Sequence, residues 1–351
     1  MHFIIDLNHP ADFHFFKNSI RKLEEKEHFF SLLAKDKDCL YELLQYSGFS
    51  FIPKGKRGKG VWRRFIYILK SVSAIILISK KKKASAILSL ASPYAVIAGW
   101  MLKIPVLTFN DTEHILLIKW IFQWFSDSII TPYCFRGTYG KKQIRINSYK
   151  ELAYLHPRYF TPDLKVPEAC KFDASKKNIL LRFVDHTAIH DFGVNRLNDD
   201  QKIELVERLS AFGAVYISSE IELPWRIQSF KLNIQAVHMH HFLVCIDLLI
   251  GESGTMSAEA AMLGTPAIYL DDKSTAYIKA IQQEYNLIFR FACSEKGIRQ
   301  ALDKAEELVM SKSVKNEAGK SARRLIEEKE DTTEIMLKTV DNLIKKEITA
   351  R

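Results

Sequence analysis

The chain has 351 residues, 47% of them hydrophobic and 26% charged, with a formal net charge of +10, which suits two medium-sized globular domains with full cores. Its five cysteines (Cys39, Cys134, Cys170, Cys245 and Cys293) form no CxxC pair and no zinc-like spacing, which argues against a disulfide framework and for reduced thiols in a cytoplasmic protein. Twelve lysines and arginines and no acid lie between Leu43 and Asn110, leaving the remainder of the chain at −2, so the excess belongs to one lobe.

The chain opens as a strand over 2–6, with neither the basic start nor the long apolar run of a signal peptide. An amphipathic helix is expected over 12–26, with Phe13, Phe16, Ile20 and Leu23 on one side, then a strand at Phe29 to Leu33 and a helix from Asp38 to Tyr46. The most apolar stretch, Phe65 to Ile78, is interrupted by Lys70 and falls short of the ~20 residues of a spanning helix. Basic residues mixed with Trp62, Phe65, Ile66, Tyr67 and Leu69 suggest that residues 54–83 rest on anionic lipid, with a plain solvated basic face as the other reading. No stacking or Gly-rich reader motif accompanies this charge, so no nucleic-acid partner is expected. Strands at Ala86 to Leu90, Val106 to Phe109 and Ser128 to Thr131 complete a βαβα series and hence a mostly parallel sheet.

Pro157, Pro162 and Pro167 mark a linker, and a second series follows. It runs as strand Asn178 to Phe183, helix Asp199 to Phe212, strand Ala214 to Ser218, helix His240 to Cys245 and strand Asp247 to Ile250. Helix Ser257 to Leu263, strand Ala267 to Leu270, two further helices and a charged helical tail from Glu317 close the chain. The expectation is α/β: two Rossmann-like doubly wound domains facing a central cleft, residues 1–162 and 163–351.

The most specific string is Asp247-Leu-Leu-Ile-Gly251-Glu-Ser253-Gly254-Thr255-Met-Ser-Ala-Glu259. Gly251 and Gly254 let the backbone approach a ligand, Ser253 and Thr255 supply hydroxyls and a cap, and the following helix presents its amides to an anion. Glu259, a turn inside, is suited to accepting hydrogen bonds from ribose hydroxyls. An ordinary capped strand–turn–helix would also account for the turn by itself.

The full string resembles the nucleotide-sugar signature of glycosyltransferase-B enzymes, including lipid-linked N-acetylglucosaminyl transferases, and that of the non-hydrolysing UDP-N-acetylglucosamine 2-epimerases. That resemblance implies diphosphate binding at the Ser/Gly turn and ribose binding at Glu259. Asp6-Leu-Asn8-His9-Pro10, Asn110-Asp111-Thr-Glu113-His114, Tyr149-Lys-Glu151 and Leu181-Arg182-Phe-Val-Asp185 look like domain-of-unknown-function family 354, of the same architecture. Asp12 departs from that family, whose members often carry His there.

Asn8 and His9 follow the first strand, where a doubly wound sheet binds its ligand, and an imidazole titrates near neutrality, so His9 is a candidate base. His14, one turn further, is either a substrate contact or a buried helix histidine. Arg182 is placed to neutralise a leaving diphosphate. Asp185 is a candidate catalytic residue, with His186, His190 and Asp191 following it in a loop. That group lacks HExxH spacing, so cleft-lining polar groups are expected rather than a metal, and no cofactor is expected. Glu113 is a further catalytic candidate on the acceptor side, and His241 caps a helix or touches the nucleobase. The leading reading is a metal-independent transferase in envelope or surface-glycan synthesis. It joins a nucleotide-diphosphate sugar to a lipid-linked or glycan acceptor, in the cytoplasm or at the inner face of the membrane. A 2-epimerase is the alternative, weakened because Leu88 to Pro93 offers no acid. A non-catalytic nucleotide-sugar-binding protein is the third reading.

Overall fold

A computed structural model describes residues 1–58, 60–113, 116–166, 170, 172–173, 175–185, 197–273 and 275–349. The chain divides into two compact units: Met1–Tyr159 with Lys329–Arg351, and Phe160–Glu328. Each is built on a wholly parallel sheet with helical connections, so the expected pair of Rossmann-like domains of glycosyltransferase-B type is what the chain forms.

Unit 1 holds seven parallel strands: β1 (His2–Leu7), β2 (Phe29–Ala34), β3 (Phe51–Pro53), β4 (Ala86–Leu90), β5 (Val106–Phe109), β6 (Ser128–Pro132) and β7 (Gln143–Ile146). Their order is β3-β2-β1-β4-β5-β6-β7, so the winding reverses between β1 and β4. Helix α1 (Pro10–Glu24) begins with proline at its first turn and a capping box in which His9 and Asp12 exchange hydrogen bonds. It buries Phe13, Phe15, Phe16, Ile20 and Leu23, each contributing about 1.5–3 kcal/mol of hydrophobic stabilisation. Helix α2 (Leu40–Tyr46) packs beside it. Helices α3 (Val61–Lys82), α4 (Pro93–Leu102) and α5 (Leu116–Phe125) share a second core, in which Val72, Ile75, Val96 and Phe122 meet Ile4, Ile87 and Ile129 of the sheet. A short helix, α6 (Leu152–Leu155), closes this part of the chain.

Unit 2 holds β8 (Asn178–Phe183), β9 (Ala214–Ser219), β10 (Leu248–Gly251), β11 (Ala267–Leu270) and β12 (Ile288–Phe291) in the order β12-β11-β10-β8-β9. Its helices are α7 (Asp199–Ser210), α8 (Met239–Cys245), α9 (Gly254–Met262), α10 (Ala276–Tyr285), α11 (Glu295–Met310) and α12 (Val314–Glu328). Here the winding reverses between β8 and β10. Phe183, Leu205, Ile217, Ile250, Ile268 and Leu302 are among the side chains that fill its core.

The tail departs from the sequence expectation, which assigned everything from 163 onward to the second domain. Helix α13 (Thr332–Thr349) packs on α1 and α6 in unit 1. The physical reason is an apolar seam of Met336, Leu337 and Val340, flanked by polar anchors. Thr332 Oγ1 donates to Tyr149 O at 2.6 Å, Thr333 Oγ1 to Ala153 O at 2.8 Å, and Lys22 Nζ pairs with Glu334 at 2.7 Å. Strands β3, β7 and β12, of three or four residues, are too short to leave a readable alternation. No helix among the described residues is long and apolar enough to cross a membrane.

Candidate functional site

Unit 2 builds a glycine-flanked turn at its own switch point. Gly251 ends β10 opposite Arg182 of β8, so close that an added Cβ would lie 2.3 Å from the Arg182 carbonyl oxygen. Only glycine fits that approach. Two residues later Ser253 caps α9, its Oγ accepting the Met256 N–H at 3.2 Å. Gly254 packs against Tyr269, with room for a Cβ only at 3.3 Å from the phenol. Ser253, Gly254 and Thr255 are half-buried at the positive end of the helix, where backbone N–H groups favour an anion.

The carboxylates beside this turn are held from below. Glu252 is buried and accepts the backbone N–H groups of Leu197 at 3.2 Å and Val184 at 3.4 Å. Glu259 lies on α9 one turn after Thr255, on the same side of the helix, and its Oε1 is 3.1 Å from His240 Nε2. Both side chains are almost wholly buried. His241 turns its ring toward Phe160, centroids 4.9 Å apart, and its Nδ1 accepts the Asp163 N–H at 2.9 Å.

Arg182 has partners already. Its guanidinium pairs with Glu220 and donates to Ser218 Oγ at 2.8 Å, so the residue just after β9 compensates the charge carried on β8. Asp185 is exposed just beyond that strand, its backbone N–H donating to Glu220 Oε2 at 3.0 Å. His114, His186, His190 and Asp191 lie outside the described residues.

Unit 1 carries a buried polar cluster at the β1/β4 switch point. Asp6, at the carboxyl end of β1, is fully buried and paired with Lys54, which follows β3. Lys54 also donates to Asn8 Oδ1 at 2.8 Å, while Asn8 Nδ2 and Ser92 Oγ reach Asp6 Oδ2 at 2.8 and 2.5 Å. Asp12 accepts the backbone N–H groups of Asn8 at 2.7 Å and His9 at 3.1 Å; burial pushes its carboxyl up to about 7. His9 itself is half-exposed at the mouth of this cluster, 4.0 Å from Asp38. Its Nδ1 accepts the Ala11 N–H at 3.2 Å. A second buried cluster follows β5, where Lys150 Nζ lies 2.5 Å from Asp111 and 3.4 Å from Glu151. Glu113 accepts the Arg136 backbone N–H.

Of the residues expected from sequence, Asn8 and His9 join the first cluster, whereas Gly251, Ser253, Gly254, Thr255 and Glu259 make one turn with its supporting helix. His14 does neither: it is buried on α1 and stacked on Tyr154, centroids 5.2 Å apart, as a core histidine would be. Lys54, counted from sequence with the basic surface of 54–83, points inward with its side chain 1% exposed. The signal for it was the strand Phe51–Pro53, which puts Lys54 at the same sheet edge as Asp6. His240 and Glu252, each one residue from a position singled out, were likewise not foreseen.

Two wholly parallel sheets with helical connections, the winding reversing within each, define a protein of the glycosyltransferase-B/epimerase fold class. Residues 1–152 match the model of the family described as "Protein of unknown function (DUF354)", in accord with the resemblance seen in the sequence. No curated protein matches the chain. Among solved structures, it is similar to Staphylococcus aureus MnaA with UDP, at 11% identity and TM-score 0.70, covering 98% of this chain and 97% of that one. It is also similar to the spinosyn forosaminyltransferase SpnP, at 12% identity and TM-score 0.67, covering 98% and 99%. A third is the UDP-GlcNAc 2-epimerase of Neisseria meningitidis bound to UDP-GlcNAc, at 11% identity and TM-score 0.63, covering 97% and 100%. At these identities the likeness is one of fold.

Proposed function

We propose that the protein is an enzyme that binds a nucleotide-diphosphate sugar, the diphosphate at Ser253, Gly254 and Thr255 and the ribose near Glu259. The observation that carries this reading is the Gly251–Arg182 approach at the β8/β10 switch point, which delivers the chain into a capped helix N-terminus. The transfer of the sugar to a lipid-linked or glycan acceptor, in envelope or surface-glycan synthesis at the cytoplasmic face of the membrane, is the reaction we favour. Solved proteins of this fold include a forosaminyltransferase, and the basic lobe suits an acceptor carried by lipid. His9, half-exposed beside a buried polar cluster, is the candidate base, with Asp185 and Glu113 as further candidates.

The epimerase reading gains one observation: Asp6 and Asp12 supply buried carboxyls at the β1/β4 edge, where the Leu88 to Pro93 loop has none. Calorimetry with UDP, GDP, dTDP and CMP tests the shared premise, and lack of binding by all four removes both readings. Incubation of the bound sugar nucleotide in deuterated water, with no acceptor, separates them. Deuterium entering the sugar beside the anomeric carbon identifies an epimerase; its absence, with sugar transfer to an added acceptor, identifies a transferase.

A further inference from the structure

Eleven of the seventeen exposed large hydrophobic side chains among the described residues lie on three neighbouring helices, α3, α4 and α5. Helix α3 is apolar on its outer side as well as on its buried one, unlike an ordinary surface helix. Its buried positions are Tyr67, Ser71, Val72, Ile75 and Ser79, whereas Trp62, Phe65, Ile66, Leu69 and Leu77 are exposed. Helix α4 adds Trp100 at 58% and Met101 at 56% exposure, and α5 adds Trp120 at 62% and Trp124 at 67%. The three helices are continuous: Tyr67 meets Tyr94 at 6.0 Å between α3 and α4, and Trp100 meets Phe125 at 4.9 Å between α4 and α5. None of them carries an acidic residue, while Arg63, Lys70, Lys80 to Lys82 and the adjoining Lys103 are exposed among the apolar side chains.

Tryptophan bodies interleaved with solvated cations match a bilayer's headgroup region, where indoles sit between water and hydrocarbon and cations meet lipid phosphates. A second copy of the chain is the poorer occupant, because a symmetric contact would set this positive face against itself. We propose that the outer side of α3, α4 and α5 is a docking surface for an anionic lipid bilayer. The surface extends the basic stretch of 54–83 to two further helices and excludes Lys54, which is buried against Asp6. It belongs to unit 1 and the proposed donor turn to unit 2, so its test needs no nucleotide.

Four of the five tryptophans, Trp62, Trp100, Trp120 and Trp124, lie on this face, and the fifth is Trp225 of unit 2. In a Trp225→Phe protein, therefore, indole fluorescence reports on the surface alone. Phosphatidylglycerol vesicles with brominated acyl chains are expected to shift that emission to the blue and quench it at low salt. Co-sedimentation with the same lipid is expected to weaken about tenfold or more when Arg63, Lys70, Lys81 and Lys82 are all changed to Gln. A similar loss is expected for Trp120→Ser with Trp124→Ser, whose positions are exposed enough to leave thermal unfolding and UDP binding unchanged. If the serine variant does not fold, the glutamine variant and the quenching of the Trp225→Phe protein still decide the matter. Absence of quenching, or equal binding to phosphatidylcholine and phosphatidylglycerol, would overturn the proposal. So would a dimer in analytical ultracentrifugation that these substitutions dissociate while vesicles capture nothing.

Discussion

His240 Nε2 lies 3.1 Å from Glu259 Oε1, and the two side chains are buried together beneath the turn that begins α9. The imidazole helps to orient that buried carboxylate. Glu259→Ala is therefore expected to weaken UDP binding by about 1.5–3 kcal/mol, the scale of a charged hydrogen bond, and Thr255→Ala by less. Titration calorimetry gives the comparison. Unchanged affinity in Glu259→Ala would remove the ribose assignment and leave the His240 pair as architecture.

Lys54→Met should destabilise the fold by about 3–5 kcal/mol, because it strands the Asp6 carboxylate in a site from which water is excluded. Adding Asp6→Asn should recover most of that loss, since Asn can still meet Asn8 and Ser92. Urea unfolding of the single and double variants measures the coupling. Equal midpoints for wild type and Lys54→Met would mean that the ion pair contributes nothing.

Asp12 sets a pH dependence. Its carboxyl titrates near 3.8 in a free chain but is pushed up to about 7 here, first by burial and then by the neighbouring Asp6, against the pull of two backbone N–H groups and Lys54. Between those values the folded chain holds a proton that the unfolded chain has released, so this group's contribution to stability falls as pH rises through that window. Asp12→Asn should flatten the decline by about 3 kcal/mol between about pH 4 and 7. Denaturant midpoints across the range test it; parallel curves for the two proteins would refute it.

Arg182→Lys is expected to retain donor binding and lose turnover, because one ammonium cannot reproduce a planar fork that already spans Glu220 and Ser218. Steady-state kinetics with the donor identified by calorimetry separates the two effects. Turnover near wild type would make Arg182 an ion-pair partner of Glu220 only. Turnover is also expected to persist in EDTA.

Gly251→Ala should cost about 1–3 kcal/mol or more, since the new methyl meets the Arg182 carbonyl oxygen at 2.3 Å and pushes β8 from β10. A midpoint within error of wild type would show that the two strands can part freely.

The fold was readable where period and punctuation agree. β1, β8 and β10 each hold an unbroken apolar triplet (Phe3 to Ile5, Ile179 to Leu181, Leu248 to Ile250), and Ser253 before an alanine-rich helix is a cap that needs no tertiary context. Lys54 was not readable, because a lysine in a run of lysines looks solvated until the strand before it is known. His240 was obscured by its neighbours His238 and His241, since spacing alone does not tell which ring turns inward. The destination of the tail was also hidden. An amphipathic helix announces that one side will be covered, but nothing in its own residues names the cover.

That destination has a consequence for how the chain is made. Phe160–Glu328 is one uninterrupted segment, whereas the other unit needs Met1–Tyr159 and Lys329–Arg351 together. During synthesis the middle of the chain has all its parts before the first unit does, and α1 waits for Met336, Leu337 and Val340 until Phe160–Glu328 has been made. A chain cut off at residue 328 would thus hold every part of the second unit and a first unit whose phenylalanine-rich helix still lacks its cover.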